Sequence, residues 1–394
     1  MSTPLAIYVH LPWCVRKCPY CDFNSHVRPD ALPEREYVAA LLADLDRELD
    51  LARGRQVASI FLGGGTPSLF AAGAIAEMLD GFAARLPILP DVEITMEANP
   101  GTIEHGRFAG YARAGVNRVS LGAQSFDADR LRALGRIHGP AETSAAVAEL
   151  ADAGIANFNL DLMYALPGQT RESALTDLEA AIALRPAHLS HYQLTLEPGT
   201  TFFHRPPPLP DDDLAWQMQL DCQQRLAAAG FAHYEVSAYA RTGRQCRHNL
   251  NYWRFGDYLG IGAGAHGKLT VDGKVVRTEK PRSPRAYLEA GGRIGSRREV
   301  QAEELPFEFM LNALRLTSGF ALADFEGATG WSADDIRPTL VGLEARGLLK
   351  ADDTWLQPTE LGFRFLNDLM GEFLPATPVS RPVLRTQGPV PAAG

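Results

Sequence analysis

The 394-residue chain is poor in cysteine, has no excess of positive charge and contains no long apolar run. Each shortage excludes something. Five cysteines are an odd number. The apolar run at residues 5–9 is too short and lacks the basic flank of a secretory signal, so a disulfide framework is not expected. A formal net charge of −9 argues against a nucleic-acid or anionic-membrane partner held by bulk electrostatics. No stretch approaches the roughly 20 apolar residues of a membrane-spanning helix. The expectation is a soluble, cytoplasmic protein. There is no internal repeat and no P-loop. The glycine-rich run at 260–267 echoes a nucleotide-binding turn but lacks the strand–turn–helix context. What is present is an ordinary globular composition, 46% hydrophobic, enough for a large core and two domains.

Three of the cysteines stand together. Cys14, Cys18 and Cys21 form a C-x3-C-x2-C run with Tyr20 just before the last. Three thiolates on one tight loop suit a [4Fe–4S] cluster, which ordinarily takes four cysteines. With three, one iron keeps an open position, and an open position on a metal usually means chemistry. A structural zinc would want a second pair of ligands, and none is near, although His10 and His26 flank the run. Cys222 falls on an amphipathic helix over about 211–228 and reads as a core residue.

The first 200 residues alternate strand and helix. Strands are expected at 5–10, 57–62, 92–97, 118–122, 157–163 and 189–196. Helices are expected at 33–51 (capped by Asp30), through about 86, around 106–114 and between the later strands. Six β/α units with short turns imply a parallel sheet with helices outside, either a curved partial barrel or a flat doubly wound sheet. In barrel-type sheets ligands collect at the C-terminal strand ends. Polar and flexible residues recur there: the cysteine loop, Gly63-Gly64-Gly65-Thr66-Pro67, Glu97, Gln124 with Ser125, Arg136, and Asp161 before Leu166-Pro167-Gly168. Taken singly, each could be a solvated edge, a tight turn or a helix cap. As a set they read as a site, with a carboxylate suited to ribose hydroxyls.

The cysteine spacing resembles that of radical SAM enzymes. Tyr8, the cysteine triplet, Gly-Gly-Gly-Thr-Pro, Glu97-Ala-Asn-Pro, Gln124-Ser-Phe and Asp161-Leu-Met-Tyr-Ala-Leu-Pro-Gly together resemble the oxygen-independent coproporphyrinogen III oxidase family. The resemblance covers nearly the whole chain. It implies a partial (β/α)6 TIM-like barrel followed by a C-terminal α+β, winged-helix-like domain. It implies a [4Fe–4S] cluster on Cys14, Cys18 and Cys21, with S-adenosylmethionine (SAM) bound by Tyr8, Gly64 and Glu97. Tyr20, Gly65, Thr66, Gln124, Arg136 and Asp161 match positions for a second SAM. Two departures point within the family. The oxidases carry a further cysteine where this chain has Phe23, and they carry a longer segment before the cluster than the 13 residues here. Both features resemble the haem-chaperone branch, as does His248-Asn-Leu-Asn-Tyr252-Trp253, which matches its H-N-x-x-Y-W motif. That branch implies haem as a ligand, a haem-receiving partner, possible dimer formation and no oxidase turnover. The alternative is a radical SAM oxidase that decarboxylates tetrapyrrole propionates.

The motif has two readings from its own residues. His248 could ligate haem iron, with Tyr252 and Trp253 on the porphyrin face and Cys246 as a thiolate candidate. Equally, His248 and Asn249 could hydrogen-bond a loop while the aromatics fill a core. The organisation expected is a barrel over 1–204, a connecting α+β region over 205–300 beginning with a proline-rich segment, a winged-helix-like domain over 301–374 and a disordered tail from 375. A β-hairpin is expected around Asp272-Gly273. Residues 301–370 carry a formal charge of −7, the wrong sign for DNA phosphates, so this domain reads as a lid or docking surface.

Overall fold

The computed structural model describes residues 4–101, 106–291 and 295–375. The chain forms two compact units, Met1–Val300 with Arg315–Ser318, and Gln301–Leu314 with Gly319–Gly394.

The first unit is built on a 12-stranded sheet. Its centre is the β/α alternation: β1 (Leu5–Leu11), α1 (Glu34–Ala52), β2 (Val57–Gly64), α2 (Ala72–Ala83), β3 (Ile88–Ala98), α3 (Phe108–Arg113), β4 (Arg118–Gln124), α4 (Ala128–Ala133), α5 (Pro140–Asp152), β5 (Phe158–Tyr164), α6 (Arg171–Ala183) and β6 (His188–Gln193). The six strands are parallel and neighbour one another in chain order. That order is the barrel's. A doubly wound sheet would reverse direction at a switch point. Side chains alternate along each strand. Leu5, Ile7, Val9 and Leu11 of β1 are buried in one core with Tyr37, Leu41 and Leu45 of α1, each apolar side chain stabilising by about 1.5–3 kcal/mol. The intervening Tyr8 and His10 face the other way, into a largely polar interior.

The barrel is open. After α7 (Thr201–His204) and α8 (Asp212–Ala228), the short strands β7 (Ala232–Glu235) and β8 (Ala238–Ala240) continue the sheet antiparallel beyond β6. The two pair antiparallel with each other across a turn at 236–237, where the Ser237 carbonyl accepts from His191 N–H. Past α9 (Arg247–Trp253), the strand β9 (Tyr258–Ile261) pairs parallel with β1 on its other side. It lies in the glycine-rich run discounted as a nucleotide turn. The sheet then continues through β10 (His266–Val271), β11 (Lys274–Glu279) and β12 (Ser296–Glu299), with α10 (Pro284–Glu289) between the last two. The β10–β11 turn is the expected hairpin: Asp272 and Gly273 both take positive φ, 52° and 79°, as a two-residue primed turn requires.

One local expectation differs. α1 begins after Pro33 with no side-chain cap, so Asp30 does not cap it. Proline fixes the entry geometry at that point.

The second unit packs α11 (Leu305–Ala313), α12 (Leu322–Thr329), α13 (Ala333–Ala345), α14 (Glu360–Arg364) and α15 (Leu366–Gly371) with a three-stranded sheet. Its strands are β13 (Phe320–Ala321), β14 (Leu349–Ala351) and β15 (Trp355–Pro358), in the order β13-β15-β14. Phe309 meets Phe320 and Phe325 edge to face at its centre. Past Pro375, the tail expectation lies outside the described residues. Among the described residues no helix is long and apolar enough to cross a membrane.

Candidate functional site

The cysteine loop leaves the C-terminal end of β1 and returns on itself. Trp13–Cys14 pairs in parallel with His26–Val27, and Cys21 N–H donates to the Cys18 carbonyl, so the three cysteines share one closed loop. All three are free thiols and half-buried. Three groups reach their sulfurs: Thr66 Oγ1 lies 3.5 Å from Cys14 Sγ, Arg136 Nη1 3.8 Å from Cys18 Sγ and Ser25 Oγ 3.8 Å from Cys21 Sγ. Burial pushes the Cys14 and Cys21 thiols up from their ordinary value, with the hydroxyls of Thr66 and Ser25 offsetting part of the effect. Metal binding there would release protons.

Asn24 fastens the far arm of the loop. Its carbonyl accepts from His10 Nε2 at 2.9 Å, and its Nδ2 donates to the Ala263 and Arg282 carbonyls at 3.0 and 2.9 Å.

Beside the loop lies a cavity of about 370 Å³ at the C-terminal ends of the strands. It is lined by all three cysteines and by eight of the nine expected SAM positions: Tyr20, Gly64, Gly65, Thr66, Glu97, Gln124, Arg136 and Asp161. The ninth, Tyr8, lies below it. Its hydroxyl bonds His10 Nδ1 at 2.9 Å, and its ring lies beside the Phe61–His248 pair, 6.3 and 6.4 Å from the two ring centres.

The local reasons are physical. Gly64 has φ +107°, and a Cβ there would fall 2.5 Å from the His10 ring. No other residue fits without displacing that ring. Its N–H donates to Glu97 Oε2 at 3.1 Å. Burial, and then the nearby Asp161, raise the Glu97 pKa to about 8. Burial also raises Asp161, against hydrogen bonds from Asn159, Ser120 and Ser190. Gln124 holds a left-handed φ of 65° at the end of β4, strain of the kind found at functional sites. Arg136 is half-buried with its guanidinium on the Gly122 carbonyl (2.7 Å) and on Asn99 Oδ1. Asn99 in turn donates to Thr66 Oγ1 at 3.0 Å.

These residues fit the implied groups. Three thiols with a cationic neighbour line one side of the cavity, and carboxyl, amide and glycine backbone groups line the other. Among the described residues no three His, Cys, Asp or Glu side chains converge on a single ion. A cluster of four irons presents separate iron corners, so its three thiolates need not converge.

The comparisons agree. The Radical SAM superfamily model matches residues 8–181, and the HemN C-terminal domain model matches 300–365. The chain is similar to Heme chaperone HemW of Escherichia coli (strain K12), 53% identical over 372 residues, 94% of this chain and 98% of the relative. The chain belongs to the HemW family.

A HemW of Haemophilus influenzae is 48% identical, again over 94% of this chain and 98% of its own length. In fold, the chain resembles E. coli coproporphyrinogen III oxidase (HemN), described as a radical SAM enzyme. The TM-score is 0.80 at 22% identity, over 94% of this chain and 90% of that one. Radical SAM membership implies a [4Fe–4S] cluster and SAM.

In this HemW-family chain the H-N-x-x-Y-W residues form α9, at the opposite ends of the barrel strands from the cysteines. His248 is 1% exposed. Its Nδ1 lies 3.0 Å from Ser59 Oγ and its Nε2 2.9 Å from Tyr252 Oη, so neither nitrogen is free. Burial, then Arg118, push its pKa down to about 3. Cys246 is fully buried, its Sγ 3.5 Å from Glu93 Oε1, and burial pushes its thiol up to about 12. Tyr252 packs edge to face on Tyr258, and Trp253 lies under the Arg315 guanidinium. His266 is exposed, 3.8 Å from Glu279. Cys222 is in the core, as expected.

Sequence reasoning missed Arg16, Phe23, Asn99, Ser120, Met163 and Tyr192 among the cavity residues. Strand alternation carried a signal for some. Ser120 shares a face with Gln124 on β4, and Met163 with Asp161 on β5.

Proposed function

We propose that this protein is a haem chaperone that binds haem and passes it to a recipient haem protein. Identity of 53% to a curated haem chaperone over 98% of that protein's length is the observation that carries the reading. Phe23 in place of the oxidase cysteine supports it.

In this reading Cys14, Cys18 and Cys21 hold the [4Fe–4S] cluster, and Tyr20, Gly64, Gly65, Thr66, Glu97, Gln124, Arg136 and Asp161 surround SAM, with Tyr8 acting through His10. When bound, the cluster supplies one electron and an open iron position for the amino and carboxylate groups of SAM. The protein's own contribution is placement. The Arg136 guanidinium sits beside Cys18 Sγ. Gly64 brings backbone N–H to the cavity where a side chain would collide with His10. Glu97, raised to about 8, is largely protonated at neutral pH in the empty cavity. A cationic ligand group beside it would draw it back to the carboxylate, coupling binding to proton release. Half-burial of the three thiols limits water at the loop.

The test is an anaerobic assay of cluster-reconstituted protein with SAM, dithionite and coproporphyrinogen III, with haem titrated in parallel by its Soret band. Saturable haem binding without decarboxylation is expected. Decarboxylation with stoichiometric 5′-deoxyadenosine would overturn the chaperone reading in favour of an oxidase.

A further inference from the structure

We propose that haem lies across the mouth of the cluster cavity, with its macrocycle against Phe23 and Tyr192 and a propionate on Arg16. This rests on the haem-chaperone reading.

Three side chains carry it, all lining the same cavity. Phe23 sits in the cluster loop, directly after Cys21-Asp22, and is 59% exposed. Its backbone is pinned, since its carbonyl accepts from Ser25 N–H at 2.7 Å and Lys17 Nζ at 3.1 Å. The ring is held out by a fixed loop. Tyr192, near the end of β6, is 42% exposed. Burial raises its pKa, Asp161 adds to the rise, and a hydrogen bond with Ser190 offsets part of it. That bond anchors the ring at one edge. Two exposed aromatic rings lining one cavity offer an apolar surface that a soluble protein ordinarily covers.

The third side chain gives the ligand its charge. Arg16 is exposed and makes no hydrogen bond or ion pair among the described residues. On a chain of net charge −9, an exposed guanidinium lining the same cavity as two aromatic rings is a specific attraction for a planar, apolar molecule bearing carboxylates. Haem has that chemistry. The cavity's volume of about 370 Å³ is near the small end of the ~300–1,000 Å³ typical of ligand pockets. A macrocycle therefore belongs at its mouth, leaving the interior to a smaller ligand. The α9 motif offers no comparable surface, because both His248 nitrogens are engaged and Cys246 is sealed in the core.

The experiment uses full-length, cluster-reconstituted protein under anaerobic conditions. Haemin and haemin dimethyl ester, which lacks the carboxylates, are titrated by their Soret bands into wild type, Phe23→Ser/Tyr192→Ser and Arg16→Glu. The cluster's EPR spectrum with SAM present reports that the interior is intact. Removing both rings is expected to weaken both ligands about tenfold. Arg16→Glu is expected to weaken haemin about tenfold and to leave the ester unchanged. Wild-type-like haemin affinity in both variants would overturn the proposal. So would equal affinity of the wild type for haemin and its ester, a comparison that needs no variant. A wild type that binds no haemin would instead overturn the chaperone reading.

Discussion

Glu97 links the site's electrostatics to the stability of the protein. Its carboxyl is raised from 4.5 to about 8, first by burial and then by Asp161. A carboxyl whose folded pKa lies above its unfolded one binds its proton more tightly when folded. Below about pH 4.5 it is protonated in both states and costs nothing. As pH rises from about 4.5 to about 8, the unfolded state ionises freely while the folded state resists, and stability falls. At about 1.4 kcal/mol per pKa unit, the ceiling is about 5 kcal/mol above pH 8 and about 3.4 kcal/mol at pH 7. Water entry and side-chain relaxation reduce this, so we expect Glu97→Gln to stabilise the ligand-free protein by about 1–3 kcal/mol at pH 8 and by almost nothing at pH 4.5. The substituted amide keeps an oxygen for the Gly64 N–H. Urea unfolding of both proteins across that range is the assay. A gain that does not grow with pH, or a loss at pH 8, would refute the reasoning.

Other outcomes follow from single contacts. Lys280 is fully buried between Asp44 and Glu48, so Lys280→Met should lower unfolding stability by about 3–5 kcal/mol by leaving two carboxylates unpaired. A loss below about 1 kcal/mol in a denaturant titration would contradict this. Gly64→Ala must displace the His10 ring while holding a positive φ, and should lower SAM affinity at least tenfold by equilibrium dialysis while losing about 1–3 kcal/mol of stability. Cys18→Ser is expected to abolish the cluster's EPR signal after reconstitution. His248→Ala, if it folds, should bind haem with an unchanged Soret spectrum. A shifted band would return the axial-ligand role to His248.

The barrel was legible because its signals are local and repeated. Each strand is a short apolar run whose residues feed one shared core, and each is followed by a polar turn at the same end. The cysteines and glycines could be read because their chemistry needs fixed spacing. Tyr192 could not, since nothing in an aromatic strand residue announces which face it takes until register is set. β9 was hidden for a different reason. The glycines in and just after it looked like a turn, but Gly260 and Gly262 are there for close packing, with Cβ positions 2.0 and 2.4 Å from the backbone of His266 and His10. The motif around His248 had two readings in one dimension, ligand or hydrogen-bonded residue beside core aromatics, and in three dimensions Ser59 and Tyr252 meet its two ring nitrogens.

The Asn24 clamp and the β1–β9 pairing bear on how the protein matures during synthesis. The first strand and the cluster loop are synthesised well before the segments that hold them. Their partners, Tyr258–Ile261, Ala263 and Arg282, emerge about 240 residues later, some 12–50 s at ~5–20 residues per second. Through that interval the cysteine loop lacks its far anchor, and β1 has one flank open. Such high contact order makes folding slow. A chain stalled before residue 258 would hold three thiols on an unanchored loop, open to oxidation.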